Sequence, residues 1–175
     1  MLYSPKVATR VLKSSLRIKA IGAVDSCNAS IGVAVLYLQT LSKETFYRIQ
    51  NDLFDLGADL CLPNSEKKLV LVPQQVTWLE QQIDLLNEKL SPLKSFILPG
   101  GTVAAAHLHQ ARTSVRFAES LCVDLSQEEA VSSEVIQYLN RLSDYLFVAG
   151  RIENDFGEKD ILWVPAQNQQ KNQDV

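Results

Sequence analysis

The chain has no uninterrupted apolar run of about 18 residues or more, the length a helix needs to cross a bilayer. Its first residues, MLYSPKVATR, lack the apolar block of a secretory signal. The expectation is a soluble, cytoplasmic protein without a membrane partner. No basic run exists either. Lys and Arg number 17 against 20 Asp and Glu, a formal charge of −3, so the electrostatic footprint of a nucleic-acid binder is missing. Cysteine is scarce: Cys27, Cys61 and Cys122 are odd in number, far apart and without C-x-x-C spacing. That pattern favours free thiols in a reducing compartment over a disulfide frame or a zinc site, and each is expected as a small core residue. There is no G-x-x-x-x-G-K-[ST] phosphate loop, and no segment alternates as a half-buried strand does.

What the chain does have is helical periodicity in five segments, which predicts an all-α fold. At 175 residues and 46% hydrophobic content, residues 1–175 are expected to form one helical-bundle domain. The first helix is expected over Leu16 to Leu41, with Gly22 and Gly32 marking close packing or the approach of a ligand. A second follows Ser42, a suitable N-cap, and carries Phe46, Ile49, Leu53, Leu56 and Leu60 inward until Pro63 stops it. The third has Pro73 in its first turn, then Val76, Leu79, Ile83, Leu86 and Leu90, and ends at Ser91-Pro92. The fourth is expected from Thr102 to Asp124, and the fifth from Ser133 to Glu153 with Val135, Leu139, Leu142, Leu146 and Ala149 inward. Long helices joined by short loops pack as an antiparallel bundle whose sites are built from facing helices. Residues 167–175 are polar and expected to form a flexible tail.

The chemistry-bearing stretch is Phe96 to Glu119, FILPGGTVAAAHLHQARTSVRFAE. A Pro-Gly-Gly loop opens into the fourth helix, which presents Arg112, Arg116 and Glu119 at i, i+4 and i+7, on one face. Most of that helix reads as buried, and a buried charged stripe must be paired or must meet a charged ligand. For Arg116 the plain alternative is a bundle salt bridge to Glu119 or to another helix. Gly100-Gly101-Thr102 reads as a turn. His107 and His109 are two apart and point to different faces, which argues against a shared metal and for packed or surface histidines.

The run Phe96-Ile-Leu-Pro-Gly-Gly-Thr, the Ala-Arg-x-x-x-Arg-x-Ala-Glu pattern ending at Glu119, Tyr138 to Phe147 (YLNRLSDYLF), and Leu162-Trp163 closely resemble the ATP:cob(I)alamin adenosyltransferases of the propanediol-utilisation type. Arg17 to Gly32, RIKAIGAVDSCNASIG, resembles the first helix of the same family. The resemblance covers about residues 10 to 165. It implies a five-helix subunit in a homotrimer that binds ATP with Mg2+ at subunit interfaces. It also implies transfer of the 5′-deoxyadenosyl group to the cobalt of cobalamin, reduced to cob(I)alamin. Cobalt is the nucleophile in that reaction, so the protein supplies binding and orientation, and no protein nucleophile or metal-ligating residue is expected.

Carried over residue by residue, the resemblance places Arg116 on the ATP phosphates and pairs Arg112 with Asp25 across the subunit boundary. Asn140 is implied as a nucleotide contact, with a helix-to-helix hydrogen bond as its alternative. Glu119 belongs to the same ATP site, and Lys13 stands where the family has a phosphate-binding lysine. Phe96 is implied as the aromatic beneath the corrin ring that keeps the cobalt four-coordinate; its alternative is a core aromatic.

Five features depart from the family pattern. The glycine-containing segment that wraps the triphosphate is not expected in residues 1–9, which hold neither Gly nor Asp. Ser26 replaces a glutamate, Phe117 the second arginine of an Arg-Arg pair, and Ser120 a further arginine. Lys19 stands where the family often has an acidic residue. Two readings therefore stay open: a corrinoid adenosyltransferase, or a catalytically degenerate relative acting as a noncatalytic corrinoid-binding or trimer-partner protein.

Overall fold

The structure is a computed structural model that describes residues 12–61 and 70–168. Pro63 and residues 1–11 and 169–175 lie outside the described residues, and with them most of the expected tail. Five helices stand among the described residues: α1 (Leu16–Val35), α2 (Lys43–Cys61), α3 (Pro73–Asn87), α4 (Val103–Glu128) and α5 (Ser133–Glu153). The all-α bundle expected from periodicity is therefore present.

Helix ends are set by local chemistry. Ser15 caps α1 by accepting from the Ile18 amide, Thr102 caps α4 by accepting from Ala105, and Pro73 opens α3. α1 stops at Val35 rather than Leu41 for a tertiary reason. The Glu153 carboxylate accepts the backbone N–H groups of Gln39, Thr40 and Leu41 at 2.9, 3.0 and 2.7 Å, taking those donors away from helical pairing. α4 runs on to Glu128 because Leu125, fully buried, extends its apolar face.

Consecutive helices run antiparallel. Arg17 at the start of α1 pairs with Glu129 after α4, and Tyr37 after α1 stacks on His107 near the start of α4. α5 pairs its start with the end of α2 through Ser132 and Asp59, and its Tyr145 packs on Phe46 at the start of α2. An odd number of alternating helices cannot close with every neighbour antiparallel, and α3 beside α5 is the parallel pair. Gln75 and Tyr138, near the two starts, share Asp52, while Arg151 at the end of α5 donates to the Ser91 carbonyl just past α3.

The core joins all five helices. α1 and α4 meet through small residues, Ala20, Ala23, Cys27 and Ala34 against Ala104, Ala111, Ala118 and Cys122, which lets the two backbones approach closely. Gly32 fits the close-packing expectation, since a Cβ there would stand 3.3 Å from the Gln50 amide nitrogen; Gly22 has open space. By length and composition α1 could span a membrane, at 20 residues and mean hydropathy 1.2. Its Ala20, Val24, Cys27 and Ile31 face nevertheless lies in the bundle core. Cys27 and Cys122 are buried as expected. Cys61, at the last turn of α2, is exposed and is not a core residue.

Candidate functional site

The α4 stripe is less buried than the sequence suggested. Arg116 is exposed, and Arg112 and Glu119 are half-buried, because the small residues between them turn toward α1 and α5 and leave the charged face at the rim. Arg116 makes no ion pair with Glu119 or with any other described residue. Arg112 is more constrained. Its Nε is shut away from solvent without a hydrogen-bond partner among the described residues. Burial, and secondarily the Arg116 charge, pushes the Arg112 guanidinium below its ordinary pKa. A buried unpaired donor on a charged group is costly, and no described residue satisfies this one.

Glu119 is held from α5. The Asn140 side-chain amide donates to its carboxylate at 2.8 Å, and Arg141 donates to the Asn140 side-chain oxygen while pairing with Asp144 at 3.3 Å. Arg141 can only donate and an ionised Glu119 can only accept, so the Asn140 amide is fixed in one orientation. Each of its polar atoms keeps one unused valence.

The other predicted positions lie elsewhere on the surface. Asp25 is exposed on α1 and Lys13 is exposed just ahead of that helix; neither pairs with Arg112 within the chain. Between α1 and α4 lies a groove of about 580 Å³, lined by Lys19, Gly22, Ser26, Thr113, Phe117 and Leu121. Two departures from the family pattern, Ser26 and Phe117, thus share one concavity with Lys19. Phe96 is not a core aromatic, being 77% exposed. It lies on a short antiparallel ribbon in which Ile97 bridges Leu162, a pairing too brief to leave an alternation signal in the sequence.

The chain turns ahead of α4 as expected, and the turn is tied to the end of α5. Gly101 has φ +100°, and the Asn154 side chain fills the space a Cβ would need. Asn154 also accepts from the Thr102 amide at 3.2 Å, and the Thr102 hydroxyl donates to the Glu153 carbonyl at 2.8 Å. The histidines separate as expected. His107 stacks on Tyr37, and His109 is buried with its Nδ1 unpartnered. No cluster of three His, Cys, Asp or Glu residues able to hold a metal occurs among the described residues. Sequence reasoning missed Arg141 and the Trp163 contact with Phe96. Both sit inside the motifs quoted for the resemblance, but neither carries a signal of its own.

A helical bundle that offers two arginines without ion-pair partners and an oriented amide on facing helices, with an exposed aromatic pair on a separate ribbon, carries the donor groups of a small-molecule binding protein. Residues 5–153 match the cobalamin adenosyltransferase family. A corrinoid adenosyltransferase of Bacillus subtilis is 41% identical over 154 residues, 85% of this chain and 79% of that protein. Two solved structures come from the PduO-type adenosyltransferase of Lactobacillus reuteri. An arginine-to-lysine variant complexed with ATP superposes with TM-score 0.83 at 35% identity, covering 88% of this chain and 90% of that one. A phenylalanine-to-alanine variant complexed with cobalamin and ATP gives 0.81 at 35% identity, covering 87% and 88%. The chain belongs to the cobalamin adenosyltransferase family.

Proposed function

We propose that the protein transfers the 5′-deoxyadenosyl group of ATP to cob(I)alamin, giving adenosylcobalamin. The cobalt attacks the 5′ carbon, the cobalt–carbon bond forms as the C5′–oxygen bond breaks, and the triphosphate leaves with the electron pair. Protein groups are needed where charge is carried away, and a guanidinium fork suits that task. Arg116 takes the phosphates, with Lys13 as a second cation, and Mg2+ arrives bound to ATP. Asn140, fixed by Glu119, contacts the nucleotide. Phe96 lies beneath the corrin ring. The protein works as a cytoplasmic homotrimer in which Arg112 of one subunit meets Asp25 of the next across the α1/α4 face.

The observation that carries this reading is the pair of uncommitted arginines. Neither Arg116 nor Arg112 has an ion-pair partner among the described residues, which leaves both guanidinium groups available to anionic groups. The noncatalytic alternative is not favoured. Identity of 41% over most of the chain to a corrinoid adenosyltransferase outweighs the substitutions at Ser26, Phe117 and Ser120. Those substitutions bear on rate, since loss of a single transition-state donor typically costs about a hundredfold. Calorimetry with ATP and Mg2+, followed by spectroscopic detection of adenosylcobalamin from reduced cobalamin, tests the function. Neither binding nor product at millimolar ATP would refute it.

A further inference from the structure

The ribbon that carries Phe96 has a geometry of its own. With Ile97 opposite Leu162 in an antiparallel bridge, Phe96 stands opposite Trp163 and Leu98 opposite Ile161. The register is held by two backbone bonds, from the Trp163 N–H to the Phe96 carbonyl at 2.7 Å and from the Leu98 N–H to the Ile161 carbonyl at 2.8 Å. The Ser95 hydroxyl adds a third by donating to the Trp163 carbonyl at 2.9 Å. Side chains alternate along a strand, so Phe96, Trp163, Leu98 and Ile161 share one face. All four are exposed, at 77, 44, 50 and 63%. The two rings meet edge to face with centroids 6.0 Å apart, a favoured arrangement for an aromatic pair.

The Trp163 strand is itself anchored to the bundle. Asp160, just before it, accepts from Arg151 Nε at 2.8 Å in an ion pair whose side chains are 8% and 5% exposed, and also from the Asn154 amide at 2.8 Å. Gly157, at φ +84°, makes the reversal that lets Asp160 return to Arg151. Asn154 also fixes the turn ahead of α4. One buried polar cluster thus holds both strands and the first turn of the helix that carries Arg112 and Arg116. An exposed phenylalanine on a loop otherwise samples several rotamers, and ordering it on binding costs free energy each time.

We infer that Trp163 is a positioning residue: its ring edge and its backbone hold Phe96 in the orientation that meets the corrinoid. This rests on Phe96 being the residue beneath the corrin ring. Trp163 need not touch the cobalt. It removes the rotamer freedom of the ring that does the displacing.

The test measures Phe96→Ala, Trp163→Ala and Trp163→Phe in the full chain, with ATP and Mg2+. Readouts are the KM for reduced cobalamin, the KM for ATP, and the spectroscopic fraction of bound cob(II)alamin that is four-coordinate. Trp163→Ala is expected to raise the corrinoid KM about tenfold and to lower the four-coordinate fraction, while the ATP KM stays within about twofold. Trp163→Phe, which keeps an edge-to-face partner, is expected to recover most of both. If Phe96→Ala leaves the four-coordinate signature intact, the role of Phe96 fails and the inference falls with it. If Phe96→Ala abolishes the signature while Trp163→Ala, with no aromatic ring at 163, retains both it and the corrinoid KM, the inference alone is overturned. An equal rise in both KM values for Trp163→Ala, unrelieved in Trp163→Phe, marks a merely structural residue and also overturns it.

Discussion

Asn140 on α5 donates its side-chain amide to the Glu119 carboxylate on α4 at 2.8 Å, across the seam between the two helices that carry the recognisable motifs. The bond does two things. It replaces the Arg116–Glu119 pair that an i, i+3 spacing suggests, so Arg116 stays uncommitted. It also leaves one amide hydrogen and one oxygen lone pair of Asn140 uncommitted, the complement of a ligand with both donors and acceptors. Asn140→Ala is expected to weaken ATP binding by at least about tenfold, the scale of one hydrogen bond in a charge-assisted network. Glu119→Gln, which lets the amide flip, should give a smaller loss. Calorimetric titration decides, and unchanged affinity in both variants would remove Asn140 from the site.

Arg116 separates a ligand role from a structural one. An exposed side chain with no partner contributes little to folding, so Arg116→Ala is expected to change stability by no more than about 0.5 kcal/mol. The same change is expected to weaken ATP binding by about tenfold to a hundredfold, with Arg116→Lys recovering only part because an ammonium cannot form the bidentate fork. Thermal melts and nucleotide titrations on one preparation check both halves. A lowered melting temperature with intact affinity would contradict the assignment.

Asp25 and Arg112 are expected to meet only between subunits. Asp25→Arg and Arg112→Asp should each shift the protein toward smaller species in sedimentation, since each leaves like charges facing one another at the α1/α4 face. The double variant, which restores opposite charges, is expected to recover the assembly. A double variant as dissociated as its parents would show that the two residues do not face each other.

Glu153 explains why helix boundaries were the less legible part of the fold. Periodicity placed all five helices, and α5 falls on Ser133–Glu153 as read, because inward leucines three and four residues apart are a local signal. The last turn of α1 was read six residues too long because its fate depends on a carboxylate more than a hundred residues away. The same division holds at the site. Helical spacing pointed to Arg112, Arg116 and Glu119, and the family resemblance to Asn140, but neither pointed to the rim position of the charged face, because helix periodicity does not say which neighbours cover a stripe of small residues. The ribbon was invisible for a related reason: one bridge between residues 97 and 162 is a tertiary contact, not a pattern.

Replacing Glu153 therefore has a definite expected cost. Glu153→Gln keeps the shape but trades charged acceptors for one neutral oxygen facing three backbone donors. The loss is expected at about 2 to 4 kcal/mol, from weakened charge-assisted bonds and a backbone donor left unsatisfied. Denaturant unfolding measures it. A loss under about 0.5 kcal/mol, the scale of an ordinary surface change, would mean that the loop after α1 does not depend on this carboxylate.

His109 gives the fold a pH dependence whose sign follows from its surroundings. It is 4% exposed, its ring meets Phe147 edge-on at 6.1 Å, and Gly150 lies against it so closely that a Cβ there would approach to 3.4 Å. Burial, followed by the Arg112 charge, lowers its pKa from the usual 6.5, with Asp160 opposing more weakly. A base whose pKa is depressed by folding is protonated more readily in the unfolded chain. Its contribution is therefore complete above about pH 6.5 and is lost as pH falls toward the folded value. The melting temperature is expected to be flat from about pH 7.5 to 6.5 and to fall below it. His109→Gln should remove most of that slope, because an amide of similar size does not titrate there. An unchanged slope in the variant would assign the acid sensitivity to the carboxylates instead.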